Sequence, residues 1–262
     1  MISVIIRNKN EAEVLESILT VLSTVYADDI DEIIVVDNNS TDKSVEVAKK
    51  YNCKIVNIKQ FTYGKAINLG IEHAKNNLVL LLSSHAVPVG NSFFKNSILE
   101  FTHNPSLAGM RYINSFTNYL RAEKNNFFVK DGLSYGLMAA CAMVNKKVWN
   151  EFKFDEKLIA SEDKEWSKRV INAGYKIKDF NETFFYHINR TEEGSLKRLK
   201  IETVAHYQLH DLQYPSFTKI IMIFAKKLFI DLPLDFFQKM IYEVKLLRLK
   251  FEIKKEITKN KE

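Results

Sequence analysis

The 262-residue chain is 46% hydrophobic and 27% charged, a balance that indicates a folded globular protein rather than a disordered one. Its net charge of +6 lies entirely in residues 195–262, which carry 14 Lys or Arg and 8 Asp or Glu. The preceding residues are neutral overall and show no basic face or nucleic-acid-binding motif, which argues against a nucleic-acid partner.

Targeting signals and paired cysteines are not expected. The N-terminus becomes polar after six residues, which is too short for a signal peptide, and no run approaches the roughly 20 apolar residues of a membrane-spanning helix. Cys53 and Cys141 follow no metal or redox spacing. We expect a cytoplasmic protein, with peripheral contact at the inner face of the plasma membrane left open.

The first 90 residues alternate between short apolar runs and segments with helical periodicity. Strands are predicted at 2–6, 32–36, 54–58 and 78–82, and helices at 11–26, 41–51 and 64–76. This alternation predicts an α/β fold in which a mostly parallel central sheet has helices on both faces.

The run Leu78–Leu82 contains no polar residue, which is typical of a strand buried on both faces of a parallel sheet. Ser83, Ser84 and His85 follow it directly. In open parallel sheets the ligand crevice lies beyond the carboxyl ends of the strands. These three polar residues therefore lie where we expect chemistry to occur.

The second half of the chain is less regular. Helices are predicted at 91–102 and 162–173, and a short strand at 183–188. The polar stretch 114–134 is expected to form a mobile loop over the site. It carries three basic residues, Arg121, Lys124 and Lys130.

Two turns that follow predicted strands carry candidate binding groups. The carboxylate of Asp37 could accept hydrogen bonds from a ribose or a base, or could instead form an Asx turn before the next helix. Gly64 and Lys65 open a predicted helix whose free N–H groups could bind an anion. A turn glycine followed by a solvated lysine explains the same two residues.

Glu162 and Asp163 open another predicted helix, for which Ser161 can serve as N-cap. Acidic residues in a first turn are favourable for the helix dipole alone, but one of them could also act as a general base. His85 and His187 each follow an apolar strand at the same predicted edge. A lone histidine is more often structural, whereas two at one edge could share a metal ion or a phosphate.

Taken together, these segments resemble the inverting nucleotide-sugar glycosyltransferases of family 2, which have the GT-A fold. The resemblance covers about residues 2–190, and the order and spacing of its markers are more specific than any single one. The markers are Ser3–Asn8 with Glu11, Ile33–Asp42, Gly64–Ile71, Glu162-Asp163 with Trp166, and His187.

The resemblance implies a role for each marker by position. Asp163 would take the proton from the acceptor hydroxyl, which then attacks the anomeric carbon as the nucleoside diphosphate leaves. Glu162 would orient the acceptor, and Trp166 would line the acceptor site. The nucleoside and diphosphate of the donor would be held by Arg7, Asn8, Glu11, Asp37, Asn39, Gly64, Lys65, Asn68 and Ser84.

The chain departs from the family at one point, because Ser83-Ser84-His85 stands where an Asp-x-Asp-like motif usually binds Mg²⁺ or Mn²⁺. In one interpretation His85 and His187 still ligate a divalent ion, and imidazole suits Mn²⁺ better than Mg²⁺. In the other, no metal is needed, and cationic side chains with helix N–H groups stabilise the leaving diphosphate. The candidate cations are Lys65, Arg190, Arg121, Lys124 and Lys130.

We divide the chain into a catalytic domain at 1–194 and a C-terminal helical extension at 195–262. The extension is predicted to form helices that are separated at Pro215 and Pro233 and that carry apolar stripes with basic flanks. Such helices could lie in an anionic membrane interface, which would suit a lipid-linked acceptor. They could instead pack on the domain or on a second subunit, forming a homodimer.

The sequence therefore predicts an enzyme that transfers a sugar from a nucleoside-diphosphate sugar to a saccharide or lipid-linked saccharide. The expected setting is bacterial surface polysaccharide synthesis, such as capsule or O-antigen. A non-catalytic relative that binds a sugar nucleotide or a glycan is the alternative, against which the Glu162-Asp163 pair argues. A sugar nucleotidylyltransferase is disfavoured because the turn at 6–11 lacks a glycine-rich loop that would wrap a triphosphate.

Overall fold

The structure, a computed structural model, describes residues 1–259 and contains two compact units, one formed by residues 1–211 and one beginning at Leu212. This division differs from the predicted one at residue 194, because the helix Glu192–Leu209 belongs to the first unit. The catalytic role assigned to residues 1–194 stays a prediction.

The first unit is built on a seven-stranded sheet and a two-stranded ribbon. In chain order the strands are β1 (Ile2–Asn8), β2 (Ile30–Asp37), β3 (Lys54–Asn57), β4 (Leu78–Ser83), β5 (Ala86–Val89), β6 (Leu107–Tyr112), β7 (Cys141–Asn145), β8 (Lys176–Phe180) and β9 (Thr183–Tyr186). The large sheet has the order β3-β2-β1-β4-β7-β6-β8, and its neighbouring strands are parallel except where β7 is involved. The antiparallel pair β5–β9 forms the ribbon. The predicted, mostly parallel α/β sheet is confirmed.

Helices alternate with the strands through the first unit and make up most of the second. Those of the first unit are α1 (Ala12–Val25), α2 (Ser44–Lys50), α3 (Tyr63–His73), α4 (Phe93–His103), α5 (Phe116–Lys124), α6 (Gly132–Tyr135), α7 (Lys146–Glu151), α8 (Glu162–Asn172) and α9 (Glu192–Leu209). The second unit contains α10 (Phe217–Lys226), a π-helical turn (Lys227–Asp231) and α11 (Leu232–Lys259). Within residues 1–259, no helix combines the length and the apolar character needed to span a bilayer.

Both faces of the large sheet are buried, which explains the unbroken apolar runs in the sequence. In β4 the side chains of Leu80 and Leu82 belong to one core cluster, and those of Val79 and Leu81 belong to another. Because successive residues of a strand point to opposite faces, a strand covered on both sides is apolar at every position.

The stretch 114–134 is not the mobile loop that the sequence suggested. It contains α5 and the start of α6, and the side chains of Ser115 and Asp131 cap these two helices. Arg121 of α5 donates two hydrogen bonds, of 2.8 and 2.6 Å, to the buried carboxylate of Asp179 in β8. Since this guanidinium is bound within the fold, the expectation that Arg121 faces a diphosphate is corrected.

Candidate active site

A cleft of about 650 Å³ opens at the edge of the sheet where β1 and β4 end. Arg7 and Ser83 line it from those strands, and Ala139 lines it from the segment that precedes the antiparallel β7. All of the lining residues belong to the first unit. Further lining residues are Tyr63, His85, Ser161, Glu162, Asp163, Lys164, Tyr186, Ile188, Arg190, Arg198, Glu202, His206, Leu209 and His210.

The backbone of Ala139 holds Arg7 and Asp163 at this cleft through its carbonyl oxygen and its N–H group. Arg7 Nη2 donates to the Ala139 carbonyl oxygen at 2.8 Å, and the Ala139 N–H donates to Asp163 Oδ2 at 2.9 Å. The other carboxylate oxygen of Asp163 accepts from the Lys164 N–H at 2.8 Å. Each carboxylate oxygen has a further lone pair, so Asp163 can still accept a hydrogen bond or a proton from a ligand.

Glu162 lies beside Asp163 and is only 4% exposed. Its Oε1 is 3.7 Å from Arg7 Nη1. Burial, followed by the negative charge of Asp163, raises the pKa of Glu162 to about 7, and attraction to Arg7 offsets part of this effect. Glu162 therefore exchanges a proton close to neutral pH, unlike an ordinary glutamate.

The backbone is strained where α8 begins. Ser161 has a φ of 65° and a ψ of 22°, in the left-handed region that residues other than Gly, Asn and Asp rarely adopt. Ser161 is the N-cap residue by position, as predicted, but its side chain forms no capping hydrogen bond. Such strain persists where the surrounding fold requires it, and here it orients the turn that carries Glu162 and Asp163.

Asn8 and Asp37 form a buried polar pair at the ends of β1 and β2. Asp37 accepts from the Ser40 N–H at 2.8 Å and from the Ser40 hydroxyl at 2.6 Å, so the Asx-type turn does form. Asn8 Nδ2 lies 3.4 Å from Asp37 Oδ1. Asn8 Oδ1 is buried and accepts no hydrogen bond from the residues that the structure describes. A buried acceptor without a partner is available to a donor on a ligand. Neither Asn8 nor Asp37 is among the residues that line the cleft.

The neighbouring predicted nucleotide residues differ in position. Glu11 Oε1 lies 3.5 Å from Nε2 of His85, a lining residue of the cleft. Asn39 has a φ of 52° and donates from Nδ2 to a backbone carbonyl oxygen at 3.3 Å, so its side chain supports the turn. Ser84 is 4% exposed and does not line the cleft, whereas Ser83 does.

The start of α3 is used for packing. The Thr62 side chain caps the helix by accepting from the Lys65 N–H. A Cβ at Gly64 would lie 2.2 Å from the carbonyl oxygen of Asp155, so only glycine allows this close approach of the chain. Neither Gly64 nor Lys65 lines the cleft. The predicted contact of these two residues with the diphosphate gains no support from this cleft and stays a prediction.

Two further predicted binding residues, Asn68 and Trp166, lie in the core. Asn68 is 2% exposed, donates to the Phe154 carbonyl oxygen at 2.9 Å and accepts from Trp149 Nε1 at 2.9 Å. Trp166 is fully buried, stacks on Phe154 with ring centroids 5.0 Å apart, and donates from Nε1 to the Phe152 carbonyl oxygen. With no surface at the cleft, Asn68 cannot contact a nucleotide and Trp166 cannot line an acceptor site.

His85 and His187 are joined through their backbones, since the His187 N–H donates to the His85 carbonyl oxygen at 3.2 Å. The side chain of His85 lines the cleft, whereas that of His187 is exposed and does not. Among residues 1–259, no group of three or more His, Cys, Asp or Glu side chains could hold a metal ion. The pair of His85 and Glu11 falls short of such a group, and His187 does not join it.

Of the cationic side chains predicted to face the diphosphate, only some line the cleft. Arg190 lines the cleft, whereas Lys65, Arg121, Lys124 and Lys130 do not.

One wall of the cleft was not predicted from the sequence. It consists of Arg198, Glu202 and His206 of α9 and of His210, which follows the helix directly, and it is called the α9 wall below. These residues recur every four positions, so they share one face of the helix. The spacing is visible in the sequence, but nothing in the sequence shows that this face lines the cleft.

Tyr63 connects the α9 wall to the other side of the cleft. Arg198 Nη1 donates to the Tyr63 hydroxyl oxygen at 3.1 Å, and Arg198 Nε donates to Glu202 Oε1 at 2.5 Å. The guanidinium carbons of Arg7 and Arg198 each lie 5.6 Å from the centroid of the Tyr63 ring. Cation–π contacts of this kind hold two cationic groups together in one cleft.

The sequence model of glycosyl transferase family 2 matches residues 3–184, which is more than half of the chain. The protein therefore belongs to glycosyl transferase family 2, as its resemblance predicts.

Among curated proteins, the chain is similar to the dolichyl N-acetyl-α-D-glucosaminyl phosphate 3-β-D-2,3-diacetamido-2,3-dideoxy-β-D-glucuronosyltransferase of Methanococcus voltae. The two are 28% identical over 204 residues, which cover 67% of this chain and 63% of that protein. The chain thus spans less than two thirds of the length of this relative.

Two solved structures show the same fold. The mannosyltransferase PcManGT from Pyrobaculum calidifontis, in complex with GDP-Man and Mn²⁺, has a TM-score of 0.62 at 15% identity, covering 82% of this chain and 65% of that one. Glucosyl-3-phosphoglycerate synthase from Mycobacterium tuberculosis, in complex with Mn²⁺, UDP and glucosyl-3-phosphoglycerate, has a TM-score of 0.59 at 16% identity, covering 83% and 81%. The GT-A fold is confirmed by this likeness.

Proposed function

We propose that the protein transfers a sugar from a nucleoside-diphosphate sugar to an acceptor hydroxyl, with inversion at the anomeric carbon. The observation that carries this proposal is the carboxylate of Asp163, held by the Ala139 N–H at the carboxyl edge of the sheet, in one cleft with Arg7 and Glu162. Membership of glycosyl transferase family 2 supports the same reaction.

Asp163 is the proposed general base. Its carboxylate takes the proton of the acceptor hydroxyl while that oxygen forms a bond to the anomeric carbon. The bond from this carbon to the diphosphate oxygen breaks, and its electron pair leaves with the nucleoside diphosphate. Attack from the face opposite the leaving group inverts the configuration. Positioned proton transfer of this kind contributes about 10²–10⁴ in rate.

Glu162 is proposed to orient the acceptor beside Asp163. A carboxyl group whose pKa is about 7 is partly protonated at neutral pH, so it can donate as well as accept a hydrogen bond. Its burial suits this positioning role, whereas Asp163 lies further from the core and has lone pairs free for the proton.

The donor is proposed to lie with its nucleoside at the ends of β1 and β2. Asn8 Oδ1, a buried acceptor without a partner among residues 1–259, supports this placement, and Asp37 lies beside it. Glu11 is the further residue proposed there, and its carboxylate contacts His85 at the cleft. Arg7 and Arg190 are the cations proposed to face the diphosphate, since both line the cleft. The two structural relatives are described with Mn²⁺, but no step proposed here depends on a metal ion.

The acceptor is proposed to be a saccharide on a lipid phosphate, used in the synthesis of a cell-surface polysaccharide. The name of the relative from Methanococcus voltae, a transferase that acts on a dolichyl phosphate saccharide, supports this class. The second unit exposes large apolar side chains such as Phe217 and Phe229, and its sequence carries more basic than acidic residues. We propose that it touches an anionic membrane surface, with a homodimer contact as the competing possibility.

A donor-binding screen tests the proposal. The full chain is heated with a panel of nucleoside diphosphates, with and without Mn²⁺, and a ligand that binds only the folded state raises the melting temperature. The matching nucleotide sugar is then supplied with lipid-phosphate saccharides, and release of the nucleoside diphosphate is followed. A shift with release supports the enzyme, a shift without release indicates a binding protein, and no shift with any nucleotide contradicts the proposal.

A further inference from the structure

The α9 wall presents four polar side chains to the cleft, next to the apolar side chain of Leu209. Arg198, Glu202, His206 and His210 all line the cleft, and the rings of His206 and His210 have centroids 4.5 Å apart. The wall therefore offers guanidinium and imidazole N–H donors, which are the side-chain donors that proteins commonly use to bind phosphate.

Arg198 is the best-anchored member of the wall. Its hydrogen bonds to Tyr63 and Glu202 fix the guanidinium at the end of the wall that is closest to the proposed reaction centre. Its positive charge is also one of the effects that lower the pKa of Glu162 against the larger effect of burial. The carboxylate of Asp163 repels an anion, whereas Arg198 and the two imidazoles of the α9 wall offer it N–H donors. The wall's own carboxylate, Glu202, is paired with Arg198.

The other end of the wall, at His210, lies close to the start of α6. His210 is close to Asp131, whose pKa is lowered chiefly by hydrogen bonds from Ser134, with a further contribution from the charge of His210. Asp131 caps α6, which packs closely on α8, since a Cβ at Gly132 of α6 would lie 2.5 Å from the backbone nitrogen of Lys168. A group bound at His210 therefore lies on the side of the cleft formed by α6 and α8, the helix that carries Asp163.

We propose that the α9 wall is the binding site for the phosphate of the acceptor. This inference rests on the proposed function and names the part of the cleft that selects a phosphorylated acceptor over a neutral saccharide. The phosphate lies against His206 and His210, and the sugar spans the gap to present its hydroxyl to Asp163.

The test is calorimetric titration of the full chain with N-acetylglucosamine 1-phosphate and, separately, with neutral N-acetylglucosamine. We expect the phosphorylated sugar to bind about tenfold more tightly, the size of one charge-assisted hydrogen bond. The double variant His206→Gln, His210→Gln is expected to lose this preference. His103→Gln, an exposed histidine at the end of α4, is the matched control and keeps it.

Nucleoside diphosphate titrations of the same variants distinguish the acceptor from the donor as the source of the phosphate. Unchanged nucleotide affinity in the double variant supports the proposal. A loss of nucleotide affinity with unchanged sugar-phosphate affinity would place the donor at the α9 wall and overturn it, as would equal binding of the two sugars by the wild type. Because the sugar titrations contain no nucleotide, their outcome is separate from a failure of donor binding.

Discussion

Helices α3 and α8 both begin with residues that suggest a ligand site, yet the structure uses the two helix starts differently. At α3 the Thr62 side chain caps the first turn, and the chain at Asp155 packs directly on Gly64. At α8 no side chain caps the first turn, the backbone at Ser161 is strained, and two carboxylates lie at the cleft. A helix N-terminus can bind a ligand only where the protein has not already satisfied its polar groups.

The largest expected effect is on transferase activity, which should depend on the start of α8 and not on the start of α3. Asp163→Asn should lower kcat about 10²–10⁴-fold, because the amide cannot take the proton of the acceptor hydroxyl. Lys65→Met should leave kcat and KM within about twofold of the wild type, since surface changes away from a site have small effects. Steady-state release of nucleoside diphosphate measures both. If Lys65→Met proved as damaging as Asp163→Asn, the assignment of α3 to packing would be wrong.

The second prediction concerns the stability that α3 provides. Asn68→Ala should lower the free energy of unfolding by about 3 kcal/mol, because it leaves Trp149 Nε1 and the Phe154 backbone groups buried without partners. Denaturant unfolding measures the loss. Asn91→Ala, at an exposed turn, is the control and should change it by less than about 0.5 kcal/mol. A loss of nucleotide affinity without a loss of stability would restore a binding role for Asn68.

The third prediction follows from the raised pKa of Glu162. The folded state binds this proton more tightly than the unfolded state, whose carboxyl titrates near 4.5, whereas the folded one titrates at about 7. The stability contributed by the protonated group is complete below about pH 4.5 and is lost as the pH rises through 7.

The Glu162→Gln variant cannot ionise at this position, so it does not lose this stability as the pH rises. Its free energy of unfolding relative to the wild type should increase by about 3 kcal/mol between pH 4 and pH 8. Denaturant unfolding at several pH values measures this difference. Parallel pH profiles for the two proteins would show that Glu162 titrates as an ordinary glutamate.

The smallest expected effect comes from the strained residue before α8. Ser161→Gly should raise the free energy of unfolding by about 0.5–1 kcal/mol, because glycine adopts a φ of 65° without steric cost. Ser17→Gly, in the exposed interior of α1, is the same substitution at a helical residue and should lower it by a similar amount. Equal signs for the two variants would contradict the assignment of strain to Ser161.

Much of the fold could be predicted because the relevant signals are local. The apolar run Leu78–Leu82 predicts a buried strand, which is β4, and the alternation around it predicts a mostly parallel sheet. The Glu162-Asp163 pair was placed at a helix start from its own neighbours along the chain. The helices in the stretch 114–134 were not predicted, because polar residues such as Arg121 pair with groups far away in sequence.

Sequence alone determined the family, the strand and helix pattern and the acidic pair at the start of α8. The tertiary structure decided which polar groups are left for a ligand, because their partners are distant in the chain: Asn68 is satisfied by Trp149, 81 residues away, and Arg7 is held by Ala139, 132 residues away. It also decided that one face of α9 lines the cleft. The residue type determines which hydrogen bonds a side chain can form. Only the packing of the whole chain determines whether the protein itself or a ligand forms them.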